Sequence, residues 1–279
     1  MSEVLIQQNN LSEAVSYLKN YINETPKIAI VLGSGLSHFA EQLSDKIIIN
    51  NNDIPNYPKS TVVGHSGKII FGRIKDNRKT SPYLCCFQGR VHLYESGNIR
   101  LTSFPIDVAF KLGVETLIIT NAAGGINKNY HPGDLMLIKD FLNLTFSSPL
   151  RGFLTSKTKS NSFFSQKLIN VAKNVASENK INLQEGVYSW TIGPCYETAS
   201  EIKMMNYLGA DAVGMSTIPE VMKANYYGME VLGISCITNM GTGISKQKLA
   251  HSEVTEVANK VKEKFTTLMK EIILSIESQ

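Results

Sequence analysis

The sequence predicts an α/β fold: a single domain, residues 1–279, built on a mixed, twisted central β-sheet flanked by helices. Three observations carry that expectation. The chain contains short, continuous apolar runs such as Ile28-Ala29-Ile30-Val31-Leu32, the pattern of a strand covered on both faces. These runs alternate with segments of helical periodicity, which argues for a largely parallel sheet with helices packed on it. Finally, 279 residues at 43% hydrophobic and 19% charged are enough for one large buried sheet, and no repeat, low-complexity tract or Pro/Ser-rich linker divides them.

In chain order, the first element is an amphipathic helix. Leu11, Val15, Leu18 and Ile22 recur at four-three-four spacing and Pro26 closes it. Strands are expected at 28–32, 46–49, 68–74, 83–87, 116–120, 134–138, 186–189 and 230–238. Helices are expected at 198–208, at 218–227 and as one long terminal segment over 252–276, with Val254, Val257, Val261, Phe265 and Leu268 on one stripe. The Ser/Thr/Lys-rich stretch 147–165 reads as a surface loop.

Composition narrows the function classes. The net charge is +4 and the basic residues are scattered, with no run of five, so they read as solvated faces and not as a nucleic-acid surface. No stretch reaches the ~18 apolar residues of a membrane helix. The first ten residues carry an early acid and no basic, apolar leader, which points to a cytoplasmic protein. Cys85, Cys86, Cys195 and Cys236 lack metal-ligand spacing; the adjacent pair in an apolar run reads as buried thiols in a reducing compartment. No metal or organic cofactor is expected.

Strand-to-loop junctions are where open α/β sheets bind ligands, and four of them carry chemistry here. Gly33-Ser34-Gly35 follows the first strand; it is either a tight turn or a nest of backbone N–H groups, with the Ser34 hydroxyl, for an oxyanion. In Gln88-Gly89-Arg90-Val91-His92-Leu93-Tyr94-Glu95, an extended backbone would place Arg90, His92 and Tyr94 on one face. The arginine fork suits phosphate, and the tyrosine hydroxyl suits a sugar. Thr120-Asn121-Ala122-Ala123-Gly124-Gly125 offers small residues that let a ligand approach the backbone. The fourth junction combines Tyr196-Glu197, Val213–Ser216 and Asn239. Singly, Glu197 could just open a helix, Asn239 could be a turn residue and His251 a surface histidine. Together, a carboxylate and an amide can read donors and acceptors on a purine edge.

In order along the chain, the segments VLGSGL, IPNYPKSTVVGHSGKIIFG, QGRVHLYE, TNAAGGIN, PGDLMLIKD, GPCYETASEI, LGADAVGMSTIPEV and SCITN resemble the trimeric class of purine nucleoside phosphorylases. The resemblance runs from about Ile28 to Val257. It implies phosphorolysis of a purine nucleoside to free base and ribose 1-phosphate, with inorganic phosphate as co-substrate, in a homotrimer. It places phosphate at Ser34, His65, Arg90, His92, the backbone of Ala122, and Ser216. Ribose falls to Tyr94, Met215 and His251, with His251 facing the 5′-hydroxyl. The base falls to Tyr196, Glu197 and Asn239, and Asn239, Glu197 and His92 are the residues expected to carry catalysis.

Physical chemistry supports the implied reaction. Cleaving the glycosidic bond builds positive charge on the sugar and negative charge on the purine; a phosphate dianion under C1′ stabilises the first. A 6-oxopurine offers Glu197 an N1–H and Asn239 an O6 acceptor, whereas adenine leaves the carboxylate unpaired at a cost of about 1–3 kcal/mol. Inosine and guanosine, with their deoxy forms, are therefore the expected substrates. The alternatives are a methylthioadenosine phosphorylase-type activity, against which His251 and Asn239 argue, a water-using nucleosidase, or a non-catalytic nucleoside-binding protein. The sequence departs from the family pattern at Ser37 and Ser96, where glycine is usual, and over 151–165. There the family carries an aromatic that reaches the neighbouring subunit; Phe153, Phe163 and Phe164 are the candidates here.

Overall fold

All five residues of strand β1 (Ile28–Leu32) are buried, as a strand covered on both faces requires. The computed structural model describes residues 3–62, 66–76, 79–152, 162–244 and 251–276, with side chains described from residue 9 in the first segment and from residue 256 in the last. The other strands are β2 (Ser44–Asn50), β3 (Lys68–Arg73), β4 (Leu84–Gln88), β5 (Thr116–Gly125), β6 (Leu135–Asn143), β7 (Leu183–Trp190), β8 (Ala212–Gly214) and β9 (Glu230–Met240). The helices are α1 (Glu3–Lys19), α2 (Leu93–Ser96), α3 (Ile99–Lys111), α4 (Gln166–Glu178), α5 (Ala199–Tyr207), α6 (Ile218–Tyr226), α7 (His251–Lys260) and α8 (Lys262–Ser275).

The nine strands form one mixed sheet in the order β2-β3-β4-β1-β5-β8-β7-β6-β9, and β5 also pairs with β9. That extra pairing closes β5, β8, β7, β6 and β9 into a ring. β1 runs parallel to β4 and β5. β8 joins β5 antiparallel. One large core lines the sheet, with Trp190, Tyr188, Phe39, Phe71, Phe87, Phe164 and Phe265 among its largest fully buried side chains, and a smaller cluster forms around Ile126, Ile202, Met205, Ala210 and Val213.

The sheet contains a gap that makes the site. β1 pairs with β5 only as far as Ile119, and β8 joins β5 only at Gly124. Between them, residues 120–123 keep β9 on one side and, among the described residues, have no strand on the other. Gly33 sits where β1 leaves. A Cβ there would lie 2.6 Å from Asn121 Cα, so only glycine lets the departing chain pass over β5.

Several expectations change. Residues 120–125 are not a loop after a strand but the continuation of β5. The terminal helix is interrupted at Val261 (φ −97°, ψ 3°) into α7 and α8; the bend keeps Ala258, Phe265, Leu268 and Met269 all buried. Helices α3 and α4 and the three-residue β8 were not anticipated. The proposed surface loop returns to the core at its end: Phe164 is buried, and Phe163 packs edge-on against Phe141 at 5.0 Å. Phe164 is thus enclosed by its own chain, Phe163 stays partly exposed, and Phe153 lies outside the described residues. Cys85 and Cys86 are buried as expected, Cys236 is buried and Cys195 is exposed. Among the described residues, no helix is long and apolar enough to cross a membrane.

Candidate active site

The gap in the sheet opens into a cleft. Its walls include Ser34, Arg90, His92, Tyr94, Ala122, Tyr196, Glu197, Met215, Ser216 and Asn239, which are ten of the twelve residues the sequence singled out. His65 lies outside the described residues. His251 is the first residue of α7, and its side chain is likewise outside them. Val62, Asn121, Gly214, Thr238 and Gly241 also face the cleft.

Arg90 and His92 arrive by a different route from the one expected. β4 ends at Gln88, Gly89 turns the chain at φ 106°, and α2 starts at Leu93. The segment is thus a turn running into a helix and not a strand, yet Arg90, His92 and Tyr94 still meet in the cleft. Arg90 is 4% exposed. Its Nη1 donates to Ser216 Oγ at 3.2 Å and Thr217 Oγ1 at 3.0 Å, and its Nη2 donates to the Thr120 carbonyl. Glu220 Oε2 lies 3.5 Å from Nη1. A guanidinium held by this many partners is fixed in place before any ligand arrives.

His92 is oriented from behind by Glu95. The carboxylate accepts from His92 N at 2.6 Å, Thr61 N at 2.6 Å and Thr61 Oγ1 at 2.9 Å, and sits 3.1 Å from His92 Nδ1. Burial pushes the Glu95 carboxyl up, but the hydrogen bonds from His92 and Thr61 outweigh it and hold it at about 2. Glu95 is therefore an acceptor at neutral pH, so Nδ1 is the nitrogen that donates to it. The His92 and Tyr94 rings stack at 5.0 Å, which sets the tyrosine against the cleft wall.

On the opposite wall, Glu197 Oε1 accepts from Thr191 Oγ1 at 2.7 Å. Glu197 directly precedes the N-cap of α5, Thr198, so it stands just outside the helix and does not belong to its first turn. Asn239 Oδ1 accepts from Thr238 Oγ1 at 3.0 Å. Met215 and Tyr94 close on Gly193, where a Cβ would meet Met215 Sδ at 2.4 Å and Tyr94 Cδ1 at 2.9 Å. Ser34 is half-buried on the lining. The Gly33 N–H is spent on Thr120 Oγ1 at 3.2 Å, so that backbone group is committed inside the fold.

Residues 27–274 match the family model described as "Phosphorylase superfamily". The chain belongs to the nucleoside phosphorylases of that superfamily. It is 43% identical over 268 residues to purine nucleoside phosphorylase 1 of Geobacillus stearothermophilus, covering 94% of this chain and 96% of the relative. It superposes with TM-score 0.87 and 32% identity on the purine nucleoside phosphorylase of Schistosoma mansoni solved with adenosine, over 97% and 98% of the two chains. An isoform 2 from the same organism, solved with cytosine and ribose-1-phosphate, aligns with TM-score 0.85 and 34% identity over 97% and 98%.

Within this nucleoside phosphorylase, the polar residues that support the cleft, from behind it or, for Asn121 and Thr238, from its wall, were not foreseen. Thr217, Glu220, Asn121, Glu95, Thr191 and Thr238 each hold a cleft residue or its neighbour. One signal was available: Thr217-Ile218-Pro219-Glu220 has the S/T-x-x-E spacing of a helix start, with proline in the first turn. Glu220 Oε2 accepts the Thr217 N–H at 2.9 Å, as that motif requires.

Proposed function

We propose that the protein cleaves 6-oxopurine ribo- and deoxyribonucleosides with inorganic phosphate, yielding free base and the pentose 1-phosphate. The observation that carries this reading is the composition of one cleft: a fixed guanidinium, a histidine and two serines share it with a carboxylate and a carboxamide. The first set suits a phosphate dianion, and the second suits the N1–H and O6 of hypoxanthine or guanine.

In this reading Arg90, His92, Ser34, Ser216 and the backbone at Ala122 bind phosphate. Tyr94 and Met215 line the sugar, with His251 assigned to its 5′ end and His65 to the phosphate on sequence grounds. Tyr196 covers the base, while Glu197 and Asn239 pair with its edge. Phosphate attacks C1′ as the base leaves; the C1′–N9 bond breaks and a C1′–O bond forms. The leaving electron pair moves into the purine, where an amide N–H from Asn239 stabilises it at O6 or N7. Phosphate lies on the far side of the sugar, where it offsets the positive charge developing there.

The Schistosoma relative was solved with adenosine, which makes adenosine the discriminating substrate for this chain. Adenine offers no N1–H to pair with the Glu197 side chain, and adenosine is turned over poorly. A homotrimer is also proposed, from the resemblance alone; light scattering would read three times the 30.8 kDa chain mass.

The test is product identity. Incubation of inosine with phosphate should form ribose 1-phosphate, seen by phosphorus NMR. Free ribose in its place would make the protein a hydrolase, and tight inosine binding without turnover would make it a sensor.

A further inference from the structure

Beside the cleft, Thr217 holds a backbone conformation that residues other than glycine rarely adopt. It is fully buried, with φ 80° and ψ −51°, and the Ile218 N–H bonds the Ser216 carbonyl across it at 2.9 Å. This is a γ-turn of the rare, strained hand, occupied by a β-branched residue that ordinarily avoids positive φ. Such geometry persists only where the surroundings over-determine it, and here they do. Glu220 holds the Thr217 N–H at 2.9 Å. The hydroxyl takes Arg90 Nη1 at 3.0 Å and Asn121 Nδ2 at 2.9 Å.

The hydrogen-bond inventory then fixes a direction. A hydroxyl accepts twice and donates once. Two amino donors fill both acceptor sites of Thr217 Oγ1, so its own hydrogen must be donated, and Ser216 Oγ lies 3.1 Å away. Ser216 Oγ also receives Arg90 Nη1 at 3.2 Å. With both of its acceptor sites filled, Ser216 can only donate, and its O–H stands between the neighbouring Tyr188 hydroxyl and the cleft that it faces.

We propose that Thr217 is a positioning residue of the phosphate subsite: its γ-turn and hydroxyl turn Ser216 into an obligate donor and aim Arg90 at the anion. This rests on the phosphate reading of the cleft. Thr217 does not itself line the cleft, so it acts through Ser216 and Arg90. Its effect falls on phosphate and not on the nucleoside.

The experiment measures the KM for phosphate and for inosine in the wild type, Thr217→Gly and Thr217→Ser. Glycine accepts the positive φ without strain but removes the hydroxyl; serine keeps it. Thr217→Gly should raise the phosphate KM about ten- to hundredfold, the effect of one or two hydrogen bonds left unmade, while the inosine KM stays within about twofold. Thr217→Ser should restore the phosphate KM to within about threefold of wild type, since the bonding pattern is unchanged. If Thr217→Gly does not fold, Thr217→Ala loses the same hydroxyl and carries the same test. An unchanged phosphate KM, a parallel rise in both KM values, or a serine variant no better than glycine would overturn the inference. If the wild type itself shows no phosphate-dependent cleavage, the phosphate reading fails and takes this inference with it. If the wild type is phosphate-dependent and only the variants misbehave, the inference alone fails.

Discussion

Replacing Asn239 by aspartate tests how the cleft reads a base. The side chain keeps its shape, and the oxygen that accepts from Thr238 Oγ1 at 3.0 Å is retained. What changes is the other terminus. The amide nitrogen, which stands beside the bare backbone of Gly124 (a Cβ there would be 3.3 Å from Nδ2), becomes an oxygen. Against a 6-oxopurine, one hydrogen bond of about 1 kcal/mol is lost, and two acceptors then face each other at a further cost of about 1–3 kcal/mol. The sum, about 2–4 kcal/mol, corresponds to a loss of roughly 30- to 1000-fold in kcat/KM for inosine. Adenosine should lose far less, because its 6-amino group can donate to the new carboxylate; its Glu197 mismatch remains. Steady-state phosphorolysis of both nucleosides, followed by ultraviolet absorbance, gives the two values. An Asn239→Asp enzyme with wild-type efficiency on inosine would refute the assignment of Asn239 to the base.

Three further outcomes are expected. Gly33→Ala forces a Cβ to 2.6 Å from Asn121 Cα and 2.9 Å from the Thr120 carbonyl; since both are backbone, it should cost about 1–3 kcal/mol, visible as a lower Tm together with weakened phosphate binding at the displaced Ser34. Lys223→Met strips the buried Asp107 of a partner 3.1 Å away and should destabilise by about 3–5 kcal/mol in urea titrations, whereas adding Asp107→Leu recovers most of it; a double variant as unstable as the single one would contradict this. The Glu95 carboxyl is held at about 2 in the fold, below its unfolded value, so its contribution is complete above the ordinary carboxylate range and is lost as pH falls towards 2. Glu95→Gln should flatten the fall in Tm between about pH 4.5 and pH 2; an unchanged slope would count against the Glu95–His92 arrangement.

The parts of the fold that could be read from the sequence were those where burial is two-sided or the period is clean. β1 at 28–32 is apolar throughout and β4 at 84–88 is apolar up to its last residue, Gln88, and α6 starts where the sequence placed it. α3 was hidden by its own chemistry. Pro105 sits inside it and Thr102, Ser103 and Asp107 lie on its buried side, where Thr102 is satisfied by the Ile99 carbonyl and Asp107 by Lys223. A bond back to the helix's own carbonyl lets Thr102 go inside and a tertiary partner lets Asp107 do so, and a hydrophobic period cannot show either. α4 was legible in principle: Leu168, Ile169, Ala172, Val175 and Ala176 are its buried positions, the spacing of an amphipathic helix.

The cleft followed the same rule. Its lining was legible because phosphate, sugar and purine each call for distinctive side chains, and Arg90, Glu197 and Asn239 stood at strand ends or turns. The supporting residues were not, because Thr217, Thr191 and Thr238 look like ordinary loop and strand threonines until their partners are known. Arg90, His92 and Tyr94 met as expected although the extended backbone assumed for them is a turn and a helix. The gap between β1 and β8 along β5 depends on where pairing stops, which no local pattern encodes.

The most direct test of the account is the initial rate of purine release from inosine and from adenosine, each with and without inorganic phosphate. Cleavage of inosine should require phosphate, with adenosine slower by roughly 5- to 150-fold, as expected from about 1–3 kcal/mol for the unpaired Glu197. Equal rates with and without phosphate, or adenosine cleaved as fast as inosine, would contradict it.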